Sequence, residues 1–150
     1  MISCVRRIQF CAGHRVYQHE GKCAHMHGHN YIAYFHARAS KFRSDAGVDK
    51  LGRVVDFGVL KDKVGGWIED HWDHGFIYFE DDQQVRYALG EVQECKSFKL
   101  MVNPTAENMA NYLLHYVCPQ LLEGVQPSIE VFKVVLWETE NCFAEATLDD

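Results

Sequence analysis

The stretch "CAHMHGHNY", residues 23–31, sets three histidines at alternate positions directly after a cysteine. Imidazole and thiol at this density can bind a divalent cation. On a strand, residues two apart share a face, so His27 and His29 point the same way with Cβ atoms about 6.5–7 Å apart. Adding His25 would stretch the set over about 13 Å of strand, too far for Zn–N bonds of about 2.0–2.1 Å. The third imidazole must come from elsewhere. His14 of "FCAGHR" is the candidate, because it ends the first predicted strand and shares a face with Phe10 and Ala12 if that strand stays regular. Three neutral imidazoles leave a fourth zinc position open to water or substrate, the pattern of a catalytic site. Iron or nickel would also accept imidazoles, but a redox-silent ion is the simpler choice. From spacing alone two other readings stay open. With nine histidines in the chain, an isolated H-x-H pair is often only a surface feature. With Cys23 as a further ligand, the site would be closed and structural.

The elements that must carry these residues are readable in outline. "ISCVRRIQF" (2–10) and "HNYIAYFHARA" (29–39) are rich in β-branched and aromatic residues and read as two strands joined by the "YQHEGK" turn. In 53–72, Asp56 can cap a helix whose apolar positions Phe57, Leu60, Val64 and Trp67/Ile68 recur at steps of three and four, weakened by Gly65 and Gly66. A second helix starts at "NPTAEN" with Thr105 as N-cap and an apolar stripe of Met109, Tyr112, Leu113, Tyr116 and Val117. Pro119 predicts an end or kink there. "SIEVFKVVLWET" and "NCFAEATL" read as two more strands, with a turn around Glu140 and Asn141. Residues 76–102 form an irregular insert, either a flap or an extra hairpin. The expected order is β-β-α-α-β-β, an α+β layer fold.

Length and composition narrow the function. A chain of 150 residues, 47% hydrophobic, fits one domain over 1–150. A net charge of −6, with the fifteen basic residues scattered singly or in pairs, argues against a nucleic-acid partner. The N-terminus has no apolar signal region and no later run approaches a bilayer span, so no membrane role is expected. The six cysteines are dispersed without a C-x-x-C pair, which suits a reducing cytoplasm.

Taken together, "FCAGHR", "CAHMHGHNY", "VVDFGVLK", "WDHGF", "NPTAEN" and "LWETENC" resemble, in order along nearly the whole chain, the 6-pyruvoyl-tetrahydropterin synthase / 6-carboxy-5,6,7,8-tetrahydropterin synthase family. The spacing C-x3-H-G-H at Cys23, His27 and His29 resembles the bacterial carboxy-forming enzymes of the queuosine pathway; pyruvoyl-forming relatives usually carry a longer interval. The resemblance implies that His14, His27 and His29 bind Zn2+ and that Cys23 is a catalytic thiol working with Asp73 and His74. A second pair, Asp70 and His71, stands just upstream, and Trp72 replaces the leucine usual in the family. The resemblance also implies that Glu138 anchors the pterin and that Thr105 and Glu107 lie near its pocket, although Thr105 could equally be only a helix cap. Arg15 and Lys22 are candidates for the triphosphate of the implied substrate, 7,8-dihydroneopterin triphosphate. The implied architecture is the tunnelling fold, a four-stranded antiparallel sheet with two helices on one face, assembled as a homohexamer with active sites between subunits. A pyruvoyl synthase or a non-catalytic metal- or pterin-binding module are the alternatives.

Overall fold

The computed structural model describes residues 1–149. The first two strands are longer than the sequence suggests: β1 spans Ser3–His14 and β2 spans His27–Ala39, paired antiparallel so that His14 faces His27 and Ala12 faces His29. Alternation sorts their side chains. Phe10, Ala12, Tyr31, Ala33, Phe35 and Ala37 turn into the core, while Gln9, Cys11 and Asn30 turn to the other face. The ring of Phe10 stacks on Tyr31 at 5.1 Å.

The 57–71 helix has an α-helical start α1 (Phe57–Leu60), a π-helical segment (Lys61–Gly65) and an α-helical end α2 (Gly66–His71). Asp56 caps it as expected, its carboxylate accepting from the Gly58 amide at 2.8 Å. A Cβ on Gly65 would stand 3.4 Å from Cδ1 of Ile8, so the glycine lets the helix approach β1 closely. The second long helix runs from α4 (Ala106–Tyr112) through a π-helical segment (Leu113–Val117) into α5 (Cys118–Leu122). Pro119 does not end it. The wider turn just before it accommodates the ring that would strike a carbonyl in a regular α-helix.

The sheet departs from the four antiparallel strands expected. It has six strands in the order β4-β3-β1-β2-β5-β6 and is mixed. β5 (Ile129–Thr139) and β6 (Cys142–Thr147) continue the antiparallel run, whereas β3 (Gly75–Phe79) pairs parallel to β1 and β4 (Ser97–Leu100) parallel to β3. Residues 76–102 are therefore neither a flap nor a hairpin. They form a strand–helix–strand unit around α3 (Gln83–Gly90), capped by Asp82, which accepts from the Val85 amide at 3.2 Å. The true order is β-β-α-β-α-β-α-β-β, counting each long helix once.

The core lies between the sheet and the two long helices, with Leu60, Val64, Ile68, Met109, Leu113 and Leu136 fully buried. Trp72 is also fully buried, against Phe10, Trp67, Phe98 and Tyr112 at ring distances of 5.4–6.3 Å, and its indole N–H has no hydrogen-bond partner. Trp72→Ala is expected to lower stability by about 3–5 kcal/mol through the cavity it leaves, read as a lower midpoint of urea unfolding at unchanged slope. Among the described residues no helix is long and apolar enough to cross a membrane, and all six cysteines are free.

Candidate functional site

β1 and β2 bring His14, His27 and His29 together on the helix side of the sheet, one ligand nitrogen of each within 4.8 Å of the others. His25 stays outside the cluster; it precedes β2, so the strand spacing argued for it does not apply. Its backbone does take part: the His27 Nδ1–H donates to the His25 carbonyl at 2.6 Å. The His14 Nδ1–H donates to the Pro104 carbonyl at 2.7 Å, with the Tyr31 hydroxyl 3.3 Å away. Carbonyls can only accept, so both rings carry a proton on Nδ1, which leaves Nε2 as the nitrogen that each neutral ring can offer a cation.

Those two Nε2 atoms are 3.0 Å apart. Two lone pairs at that distance repel unless a cation lies between them. His29 adds a buried Nε2 that makes no hydrogen bond, 3.4 Å from Oε1 of Glu138. Burial pushes the pKa of His14 down to about 4, against the pull of its Pro104 hydrogen bond, and burial also lowers His29. Three imidazoles with converging nitrogens, two of them oriented by backbone carbonyls, are the donor set that a divalent cation needs. The residues fit the ion.

Glu138, at the end of β5, looks from the metal side into a cleft it shares with Glu107, Ala106 and Cys142. Thr105 acts as the helix cap, its hydroxyl oxygen accepting from the Asn108 amide at 3.1 Å. Cys23 lies half-buried on a short 3-10 turn (Lys22–Ala24), fixed by a hydrogen bond from the Val16 amide to its carbonyl at 2.7 Å. The Tyr31 phenol is raised above its ordinary range by burial, then by the negative charges of Glu138 and Cys23.

Asp73 and His74 form a true pair, Nδ1 to Oδ2 at 2.9 Å, whereas His71 packs on the Trp67 ring at 4.8 Å. Burial raises the Asp73 carboxyl, but the Cys11 amide and the His74 hydrogen bond outweigh it and leave it below its usual range. Within one chain the pair belongs to a cluster with Cys11, and Cys23 falls in neither cluster. Arg15 enters the structure as the bidentate partner of the buried Asp82, with both contacts at 2.6 Å. Sequence reasoning missed both Asp82 and Cys11. Asp82 was legible as a cap before "QQVRYAL", whereas nothing local marks Cys11.

Fold and site together define an α+β domain organised around a cluster of three imidazoles that could hold a cation, beside a carboxylate-lined cleft. The family model described as 6-pyruvoyl tetrahydropterin synthase matches residues 3–149, and the chain belongs to that family. A Rickettsia conorii protein named 6-carboxy-5,6,7,8-tetrahydropterin synthase is 39% identical over 145 residues, covering 97% of this chain and 99% of the relative. One of the same name from Haemophilus influenzae is 31% identical over 148 residues, covering 97% and 98%. Among solved structures, an uncharacterised protein from Wolinella succinogenes superposes with a TM-score of 0.77 at 23% identity, covering 99% and 98% of the two chains. The 6-pyruvoyltetrahydropterin synthase of Plasmodium vivax superposes at 0.67 with 18% identity and full coverage of both. These two likenesses concern the fold.

Proposed function

We propose that the protein is a zinc-dependent 6-carboxy-5,6,7,8-tetrahydropterin synthase, converting 7,8-dihydroneopterin triphosphate and water to 6-carboxytetrahydropterin, acetaldehyde and triphosphate in queuosine biosynthesis. The observation that carries it is the three-histidine centre, with Glu138 beside it, in a chain 39% identical to a protein of that name. His14, His27 and His29 would hold the zinc, which when bound would supply Lewis-acid chemistry for the substrate's side-chain oxygens.

The remaining work falls to the chain's own groups. Glu138 accepts the paired N–H donors of the pterin, the 2-amino group and the ring nitrogen, and so fixes the ring in the cleft lined by Glu107. Thr105 acts there through the start of the helix it caps. Cys23 takes a proton from the side chain of the substrate, and His74, oriented by Asp73, returns one. Loss of triphosphate leaves a keto side chain, whose C–C bond then cleaves to release acetaldehyde. Lys22 is the better candidate for the triphosphate, since the charge of Arg15 is offset by Asp82.

Because the Asp73–His74 pair clusters with Cys11 and not with Cys23 in one chain, the reading places it opposite Cys23 of a neighbouring subunit in a homohexamer. The sheet favours such an assembly. β3 covers β1 only at Ala12–His14, leaving the outer edge of the strand from Ser3 without a strand partner, and β6 has a neighbour on one side only. Basic residues scattered singly or in pairs along an acidic chain do not favour a nucleic-acid partner, and a cytoplasmic setting suits its free thiols.

A pyruvoyl synthase is the second reading, favoured by the description of the matching family model. Incubating the zinc-loaded protein with dihydroneopterin triphosphate distinguishes them by product mass and an acetaldehyde assay. We expect the 6-carboxy product with one acetaldehyde per turnover. A 6-pyruvoyl product without acetaldehyde overturns the carboxy assignment, and no turnover moves the weight to a binding module.

A further inference from the structure

The turn that carries Asp73 and His74 is strapped to β1. His74 has a backbone φ of 60°, in the left-handed region that non-glycine residues seldom occupy. Two hydrogen bonds hold it there: the His74 amide donates to the Cys11 carbonyl at 2.6 Å, and the Cys11 amide donates to Oδ1 of Asp73 at 2.9 Å. The strap places Cys11 Sγ, an Asp73 oxygen and a His74 ring nitrogen within 4.8 Å of one another. Cys11 points to the helix-free face, exposed, with its thiol 2.9 Å from Oδ1 of Asn30. A second thiol, Cys95, lines the same cleft as Cys11 and His74.

We propose that Cys11, Asp73 and His74 form a second metal site, separate from the three-histidine centre, for a thiophilic divalent cation. Sulfur, nitrogen and oxygen donors from one residue each are a set that zinc, cobalt and cadmium accept and that magnesium and calcium do not favour. Binding releases the Cys11 thiol proton to solvent and replaces the Asp73–His74 hydrogen bond by bonds to the ion. Thiolate and carboxylate supply two negative charges, which offset the two of the ion; the nearby Lys96 ammonium is held by the carbonyls of Glu69 and Asp73 at 2.8 and 2.7 Å. The two sites also differ in character: neutral imidazoles on the helix side, a thiol-containing set on the helix-free side. On the function proposed above, an ion here occupies the proton-relaying pair, so zinc beyond the first equivalent inhibits; the site itself does not depend on that function.

The test is a titration of the metal-stripped protein with Co2+, counting ions per chain and following the near-ultraviolet thiolate-to-cobalt band. We expect two ions per chain in the natural protein. Cys11→Ser is expected to bind one and to lose the band, whereas Cys23→Ser keeps it and His27→Ala retains the Cys11-dependent ion. A single ion per chain in the natural protein, two ions in Cys11→Ser, or a band that follows Cys23 would overturn the second site. Because the count needs no turnover, failure of the product assay and failure of this proposal are told apart.

Discussion

Replacing His27 by alanine is expected to remove the zinc proposed for the three-histidine centre and to lower turnover by about 1,000-fold or more. A Lewis acid contributes several kcal/mol to stabilising charge in the transition state, and each 1.36 kcal/mol is a factor of ten in rate, which together give about that loss. His27 is the ring whose Nε2 faces that of His14 at 3.0 Å, so its removal takes one ligand and leaves two. His25→Ala makes the control. His25 meets the centre only through its carbonyl, which accepts from His27 at 2.6 Å and which any residue supplies. Metal analysis of the purified variants decides: zinc lost in His27→Ala and kept in His25→Ala is the expected pattern, and the reverse would refute the convergence of alternate strand residues with His14.

Cys23→Ala should be the next most damaging change, lowering turnover by about 100- to 10,000-fold, the usual share of a proton-transferring side chain. Zinc content and pterin binding should persist, because Cys23 lies on the Lys22–Ala24 turn and outside the histidine cluster. Metal analysis and equilibrium binding of a pterin read those two quantities beside the rate. If zinc were lost with the thiol, Cys23 would be a ligand and the centre a closed one.

The strands and their chemistry were legible because alternation is a local signal. Phe10, Ala12 and His14 had to share a face, as did His27 and His29, and antiparallel pairing then set the two groups opposite each other. The caps Asp56 and Thr105 were legible for the same reason, since each bonds an amide two or three residues on. What sequence could not supply was long-range. β3 pairs in parallel with β1, distant in the chain, and β4 in parallel with β3 across α3, and no turn residue announces either pairing. The two π-helical segments keep the apolar steps of an α-helix, so Leu113, Leu114 and Val117 read alike in either. The contact of Cys11 with Asp73 and His74 depends on one left-handed residue 63 positions away, and histidine does not advertise that conformation as glycine would.

The pairing of His14 directly opposite His27 bears on how the chain folds. A slip of one residue between β1 and β2 would send His27 and His29 to the face of Cys11 and Asn30 and leave His14 alone in the core. An ion that needs all three imidazoles binds only the correct alignment, and whatever binds one state alone adds its binding free energy to that state. Under the proposed zinc assignment the ion would therefore add its binding free energy to the alignment that the burial of Tyr31, Ala33, Phe35 and Ala37 already favours.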